Sequence, residues 1–244
     1  MPDLKSHRLA VLIDADNARA LVAKEILLEV GRYGTATVRR AYGDWTTPSL
    51  NGWKPYLHQL AILPIQQFRF TTGKNSTDSA MIIDAMDLLH GGTVDGFCLV
   101  SSDSDFTRLA TRIREAGLSV YGIGEKKTPK SFVAACNKFI FTELLKVPSK
   151  TSSPGTPIPV ASDLPPLKPI LCEAIAAAAG DDGWALLGIV GSRVKQSHPE
   201  FDPRKYGKPK LSELVKCQSF LEMRKDQEND GSRGGLLYVR ARGV

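Results

Sequence analysis

The chain has 244 residues, 42% of them hydrophobic, with 32 basic against 26 acidic side chains and a net charge of +6. That length accommodates one large domain or two small ones with a real core; the modest positive excess points only weakly to nucleic acid. Cys98, Cys136, Cys172 and Cys217 form no C-x-x-C pair and the four histidines have no ligand spacing, which argues against zinc and disulfides and for a reducing compartment. No apolar run approaches the ~20 residues of a membrane span, and the start M-P-D-L-K-S-H-R lacks a signal-peptide hydrophobic region, so a cytosolic protein is expected.

The predicted elements alternate between strand and helix in the first part of the chain. Strands are expected at Arg8–Ile13, Thr35–Ala41, Ala61–Gln66, Gly96–Ser101 and Leu118–Gly122, with a sixth at Asn137–Phe141. Helical spacing appears at Arg19–Val30, Ser76–Leu89 and Phe106–Ala116, the last stopped by Gly117. This alternation predicts an α/β fold, a parallel sheet flanked by helices. Val147–Pro166, rich in Pro, Ser and Thr, reads as a linker. Beyond it come helices at Pro169–Ala179, Ala185–Gln196 and Lys210–Lys216. Strand-like segments at Phe220–Lys225 and Gly235–Arg240 follow, around a polar tip at Asp226–Gly234. Three helices and a two-stranded wing describe a small α+β winged-helix domain. The expected limits are 1–146, 147–167 and 168–244.

Two of the predicted strands end in aspartates. L-A-V-L-I-D-A-D-N delivers Asp14, Asp16 and Asn17, and about ninety residues later F-C-L-V-S-S-D-S-D-F delivers Asp103 and Asp105. In an open parallel sheet that strand edge is where ligands bind. Crowded carboxylates repel, and a hard divalent cation such as Mg²⁺ or Mn²⁺ relieves the repulsion. Helix capping competes with this for Asp16, Asn17 and above all Asp105, and less well for Asp14 and Asp103. Ser101 and Ser102 are either hydrogen-bond partners of a carboxylate or phosphate, or turn formers. Asp78 falls in the first turn of its helix, where an acid is mildly favourable for dipole reasons alone. The preceding loop Thr71–Thr77, with Gly73 and Lys74, suits a phosphate. Asp84 and Asp87 face elsewhere as surface or supporting acids, whereas Asp44 in A-Y-G-D-W closes the second strand and can join the cluster. Such a set suits cation-assisted phosphodiester hydrolysis, with two metals about 3.5–4 Å apart in some enzymes.

In order, L-I-D-A-D-N, A-Y-G-D-W, K-N-S-T-D, L-V-S-S-D-S-D-F and G-L-S-V-Y-G-I-G resemble the NYN domains of the LabA-like group, in the PIN-like nuclease superfamily, over roughly residues 7 to 145. The resemblance implies a PIN-like fold and a Mg²⁺- or Mn²⁺-dependent ribonuclease (a hydrolase). By motif position, Asp14, Asp78 and Asp103 would bind the metal, Asn17 would be the family's amide, and Asp44 and Asp105 would be auxiliaries. Many members have F-I-D-G-x-N where this chain has Ala15 and Asp16, which adds a carboxylate. Residues 168 to 242, through the helix pattern, W-A-L-L and H-P-E-F-D-P-R-K-Y-G, resemble an OST-HTH (LOTUS) winged helix, a type associated with RNA binding.

Between Arg193 and Lys210 lie six basic residues (Arg193, Lys195, Arg204, Lys205, Lys208, Lys210) and two acids, with Phe201 and Tyr206 interleaved. Cations beside rings suit single-stranded RNA; the alternative is a solvated loop whose rings plug the domain core. Near the acids, Lys74, Arg108, Lys126, Lys127 and Lys130 can steer a backbone. G-I-G-E-K-K lacks the third glycine of a dinucleotide fingerprint, and neither a phosphate loop nor a G-x-S-x-G elbow occurs. The expectation is a ribonuclease that recruits single-stranded or structured RNA through its second domain. Its rivals are a non-catalytic RNA-binding regulator, a phosphatase with an aspartyl nucleophile and a DNA-directed nuclease.

Overall fold

The computed structural model describes residues 7–68, 76–145, 165–180, 182–226 and 235–242. Lys74 and most of its loop, nearly all of the predicted linker, and the hairpin tip from 227 to 234 lie outside the described residues. The chain divides into two compact units, Met1–Lys150 and Thr151–Val244.

In the first unit, six strands form one parallel sheet: β1 (Arg8–Asp14), β2 (Thr35–Gly43), β3 (Leu63–Gln66), β4 (Gly96–Val100), β5 (Ser119–Gly124) and β6 (Lys138–Phe141). Their order is β3-β2-β1-β4-β5-β6. The two central strands, L-A-V-L-I and G-F-C-L-V, are buried at every residue, because helices cover both faces of the sheet. On one face, Ile26 and Val30 of α1 (Ala23–Val30), with Leu50 and Trp53, pack on Val11, Ile13, Val100 and Ile123. Trp53 directly precedes α2 (Lys54–Gln59). On the other face, Leu12, Leu99, Val120 and Phe139 meet α3 (Ser76–His90) through Met81 and Ala85. They also meet α4 (Thr107–Glu115) through Leu109 and Ile113, and α5 (Lys130–Ala135) through Phe132. Connections run outward in opposite directions from β1 and β4, so the strand order reverses between them. The carboxyl edge at such a reversal is the ligand-binding crevice of an open α/β sheet.

Strand limits differ from expectation where helix endings intervene. β3 begins at Leu63 rather than Ala61, because α2 closes through a left-handed residue, Ala61 at φ 50°. The Ile62 and Ala61 amides donate back to the Leu57 and His58 carbonyls at 2.9 and 3.4 Å, a Schellman-type stop without its usual glycine. β5 runs two residues further than predicted, to Gly124. Its glycines are packing sites: a Cβ at Gly122 would lie 2.3 Å from the Phe139 ring, and one at Gly124 would lie 2.5 Å from the Ser101 carbonyl.

The second unit contains α6 (Leu167–Ala176), β7 (Ala185–Leu186), α7 (Leu187–Ser197), α8 (Leu211–Lys216), β8 (Leu221–Asp226) and β9 (Leu236–Ala241). The strands pair antiparallel in the order β7-β9-β8. Leu171, Val190, Val194, Leu214 and Val239 form its core. Ala185 and Leu186, expected at the start of a helix, instead add a third strand to the two-stranded wing. Phe201 is buried in this core, as its apolar ring requires.

Candidate functional site

At the carboxyl ends of β1 and β4, five aspartates act on one another. Asp14 is the last residue of β1 and is only 1% exposed. The neighbouring strand end holds it there: the Ser101 hydroxyl donates to Asp14 Oδ2 at 2.8 Å. The Asn17 amide donates to the same oxygen at 2.7 Å, and the Asn17 backbone N–H to Oδ1 at 3.3 Å. Asn17 therefore orients Asp14. Burial pushes the Asp14 carboxyl above its ordinary range, the Asn17 and Ser101 bonds pull it back, and the Asp16 charge pushes it up again.

Ser101 has a second role. Its Oγ accepts the Asp103 backbone N–H at 3.1 Å, so one hydroxyl ties the aspartate of β1 to the aspartate loop after β4. Asp103 then caps the turn that leads into α4, its Oδ1 accepting the Asp105 N–H at 3.0 Å. Capping had been expected above all of Asp105 and less of Asp103. The helical turn starts at Ser104, two residues earlier than that reading required, so Asp103 takes the cap position and Asp105 falls within the turn.

The first turn of α3 supplies Asp78. Asp78, Asp103 and Asp105 each present a carboxylate oxygen, all within 4.8 Å of one another. The Asp78 carboxyl is pushed up to about 6, first by desolvation and then by the charges of Asp14, Asp103, Asp105 and Asp16. Asp16 is exposed, and its Oδ2 accepts the Thr77 hydroxyl at 3.1 Å, linking the β1 loop to α3. Three hard oxygen donors from half-buried and exposed carboxylates, with a fourth acid held beside them, are the donor chemistry of a divalent cation such as Mg²⁺ or Mn²⁺. The residues present therefore fit one.

Among the expected metal-binding acids, the structure brings Asp78 and Asp103 together and adds Asp105, which had been placed as an auxiliary. Asp14 stands beside this group with part of its hydrogen-bonding capacity already used. Asp44 is not gathered into it. Its Oδ1 accepts the Thr46 N–H at 3.2 Å, the Thr46 hydroxyl at 2.6 Å and the Gln66 amide at 2.9 Å, which fastens β2 to β3. Asp84 is paired with Arg40 at 2.9 Å and accepts the Tyr42 hydroxyl, holding α3 against β2. Arg108 is exposed one turn beyond Asp105; Lys127 pairs with Glu125 at 2.8 Å.

Two clefts flank Asp16 and Asn17. One, lined by Asn17, Arg19, Ser101, Ser102, Glu125 and Thr142, is narrow, with room for about one water molecule. The other, lined by Asp16, Arg19, Ser49, Leu50, Gly52 and Trp53, holds about 400 Å³ and is open to solvent. Arg19 borders both, a position that sequence reasoning missed. Its signal was only a cation two residues beyond the D-A-D-N run.

In the second unit the predicted RNA-contacting set is divided. Arg193 and Lys195 are exposed on α7, and Lys210 is exposed ahead of α8; Lys205 and Lys208 are half-buried. Arg204 makes a two-pronged ion pair with buried Asp202, at 2.9 and 2.6 Å. Tyr206 donates its hydroxyl to the Pro165 carbonyl at 2.9 Å and lies 5.8 Å from the Phe201 ring.

Solved structures are similar to parts of this chain. A protein of unknown function from Vibrio parahaemolyticus RIMD 2210633, VPA0982, has the same fold, with a TM-score of 0.50 at 18% identity over 58% of this chain and 96% of its own. An uncharacterized protein from gene locus NE0665 of Nitrosomonas europaea is 32% identical over 39% of this chain and 92% of its own, with a TM-score of 0.29. A fragment, residues 175–257, of a Chromobacterium violaceum protein is 34% identical over 34% of this chain and 87% of its own, with a TM-score of 0.28. No curated protein matches the chain. The OST-HTH/LOTUS domain model matches residues 165–232, the small helix-and-strand unit. The NYN domain model matches residues 8–145, the parallel sheet of PIN-like, nuclease-type fold; this is more than half of the chain, which therefore belongs to the NYN domain family.

Proposed function

We propose that the chain is a divalent-metal-dependent ribonuclease, with Mg²⁺ or Mn²⁺ as its cation, that recruits RNA through its OST-HTH domain. The observation that carries this reading is the Asp78, Asp103 and Asp105 group at the switch point, with Asp14 and Asp16 beside it. Asp78, Asp103 and Asp105 would hold the cation, with Asp14 as a further ligand or as a carboxylate that orients water. A bound divalent cation supplies acidification of a water and neutralisation of charge on the scissile phosphate.

The protein's own groups have separable tasks. Asn17 and Ser101 fix Asp14 in one rotamer, so it needs little rearrangement when substrate arrives. Asp78, with its carboxyl near 6, releases its proton before neutral pH and is then ionised for ligation. Arg19, on the wall of the larger cleft, suits a phosphate flanking the scissile one. Among the described residues no histidine lines either cleft, and the carboxylates and water would carry proton transfer. The proposed setting is cytosolic, as the scattered cysteines of the sequence suggest.

The test is cleavage of labelled single-stranded RNA with Mn²⁺ or Mg²⁺, comparing wild type with a folded Asp14→Asn variant. Cleavage that requires both metal and Asp14 supports the ribonuclease. Intact RNA binding without cleavage, across several RNAs, replaces it with a regulator that binds and does not cut.

A further inference from the structure

We propose that the outer face of the β7-β9-β8 sheet is a stacking platform for unpaired RNA bases, centred on Trp184 with Arg224, Tyr238 and Arg240. This rests on the reading of the second domain as RNA-binding and assigns the surface that does it. That surface is not the basic segment between α7 and α8.

Register places the four side chains together. Tyr238 on the central strand is opposite Leu186 on one side and Arg224 on the other; Arg240 is opposite Glu222. Trp184 precedes β7 by one residue and so falls on the same side as Leu186, next to Arg240. The alternate residues Leu221, Met223, Leu237, Val239 and Ala241 pack into the domain core. Strand alternation therefore turns the Trp184 set away from the core. The guanidinium carbons of Arg224 and Arg240 lie 4.8 and 4.7 Å from the Trp184 ring centroid, and Arg224 lies 5.5 Å from that of Tyr238.

The domain core is complete on the opposite side of the sheet, so these side chains are not needed to fill it, and cation–π attraction gathers both guanidinium groups at the Trp184 ring. Arg240 pairs with Glu222 at 2.7 Å, but both side chains are more than 40% exposed. Such a pair is weak and screened, so it exchanges readily for a phosphate. Rings offer base-stacking faces without sequence preference, and guanidinium groups alongside them bind the connecting phosphates or extend the stack. Recognition through base faces selects single strands, since a duplex hides those faces. By contrast, the segment between α7 and α8 has committed Arg204 to Asp202 and Tyr206 to Pro165.

The experiment is fluorescence anisotropy of a labelled single-stranded RNA with the full chain in EDTA, where metal-dependent cutting is off. Trp184→Ala should weaken binding about tenfold or more, and Trp184→Phe, which keeps a ring, by less. Arg224→Gln with Arg240→Gln should weaken binding and reduce the salt slope by roughly 1.4 for two lost phosphate contacts. This double variant keeps Trp184 and serves if Trp184→Ala fails a thermal-melt check. Ultraviolet cross-linking of wild type should map to the peptide containing Trp184. Unchanged binding in both variants, with loss in Lys205→Ala/Lys208→Ala instead, overturns the platform and leaves RNA binding in place. Equal affinity for duplex RNA also overturns it. Wild type that binds no RNA at all overturns both readings. Mn²⁺-dependent hydrolysis of bis(p-nitrophenyl) phosphate, too small to need the second domain, should be unaffected by Trp184→Ala.

Discussion

Asp78→Asn should make the metal-free protein more stable at neutral pH while abolishing metal-dependent activity. Asp78 carries the cost of the cluster, its carboxyl raised from 3.8 to about 6 by desolvation and four neighbouring acids. For a fully buried group that gap would correspond to ~3 kcal/mol of destabilisation when ionised. Asp78 is only half-buried, so solvent screening reduces this to roughly 1.5 kcal/mol. Its place in the first turn of α3 opposes the effect, since an acid there gains about 0.5 kcal/mol from the helix dipole. Repulsion is the larger effect, and the net gain on neutralisation is about 1 kcal/mol, or roughly 3 °C in melting temperature for a domain of this size. The sign with pH follows from the raised folded pKa. As pH rises from 3.8 to about 6, the unfolded chain gives up this proton before the folded one does. Wild type therefore loses stability across that interval, and the loss is complete above it. Thermal melts in EDTA should show the full gain at about pH 7.5, about half near pH 5 and little near pH 4. Added Mn²⁺ should reverse the order, raising the wild-type midpoint and leaving the variant almost unmoved. A variant no more stable than wild type in EDTA at neutral pH would refute the claim that these acids are held together against their repulsion.

Three further outcomes follow from individual side chains. Asp44→Ala should cost about 1–3 kcal/mol, because the Thr46 and Gln66 donors lose their acceptor. Cleavage per folded molecule should stay within a few-fold; a hundredfold fall would place Asp44 in the chemistry. Ser101→Ala removes the hydroxyl shared by Asp14 and Asp103, and calorimetric titration should show Mn²⁺ affinity reduced roughly tenfold, whereas unchanged affinity would make Ser101 a turn residue only. Ala61→Gly should raise the denaturation midpoint by the equivalent of about 0.5–1 kcal/mol, relieving φ 50°; a lower midpoint would show that Ala61 is not strained.

What could be read from the sequence was set by contacts close along the chain or repeated along an element. L-A-V-L-I and G-F-C-L-V could only be strands covered on both faces, and they are. The segment from Pro48 to Gln59 folds as two helical turns in succession, but Pro48, Gly52 and Pro55 hid its period. Both prolines are tolerated because they occupy first-turn positions, where no amide donor is needed. Asp44 looked like a cluster member because it ends a strand beside β1. Its fate was decided by Gln66, 22 residues away, a contact with no local trace. The Trp184 set likewise joins strands separated by some forty to fifty residues, and appears only once β9 lies between β7 and β8.

The two candidate sites break local rules in opposite senses, and each implies what completes it. Five carboxylates at one strand edge raise the free energy of the folded chain, and the hydrogen bonds from Ser101 and Asn17 offset only part of that. On the small sheet, two guanidinium groups gather at one half-buried indole. Folding alone does not favour the carboxylate cluster, and departures of this kind concentrate where a protein meets a ligand. On the proposed reading, a divalent cation would offset the repulsion among the acids, and RNA phosphates would exchange with Glu222 at Arg240. Each cluster, taken within its own domain, then has a partner of complementary charge. A non-catalytic RNA-binding regulator would account for the arginine cluster alone.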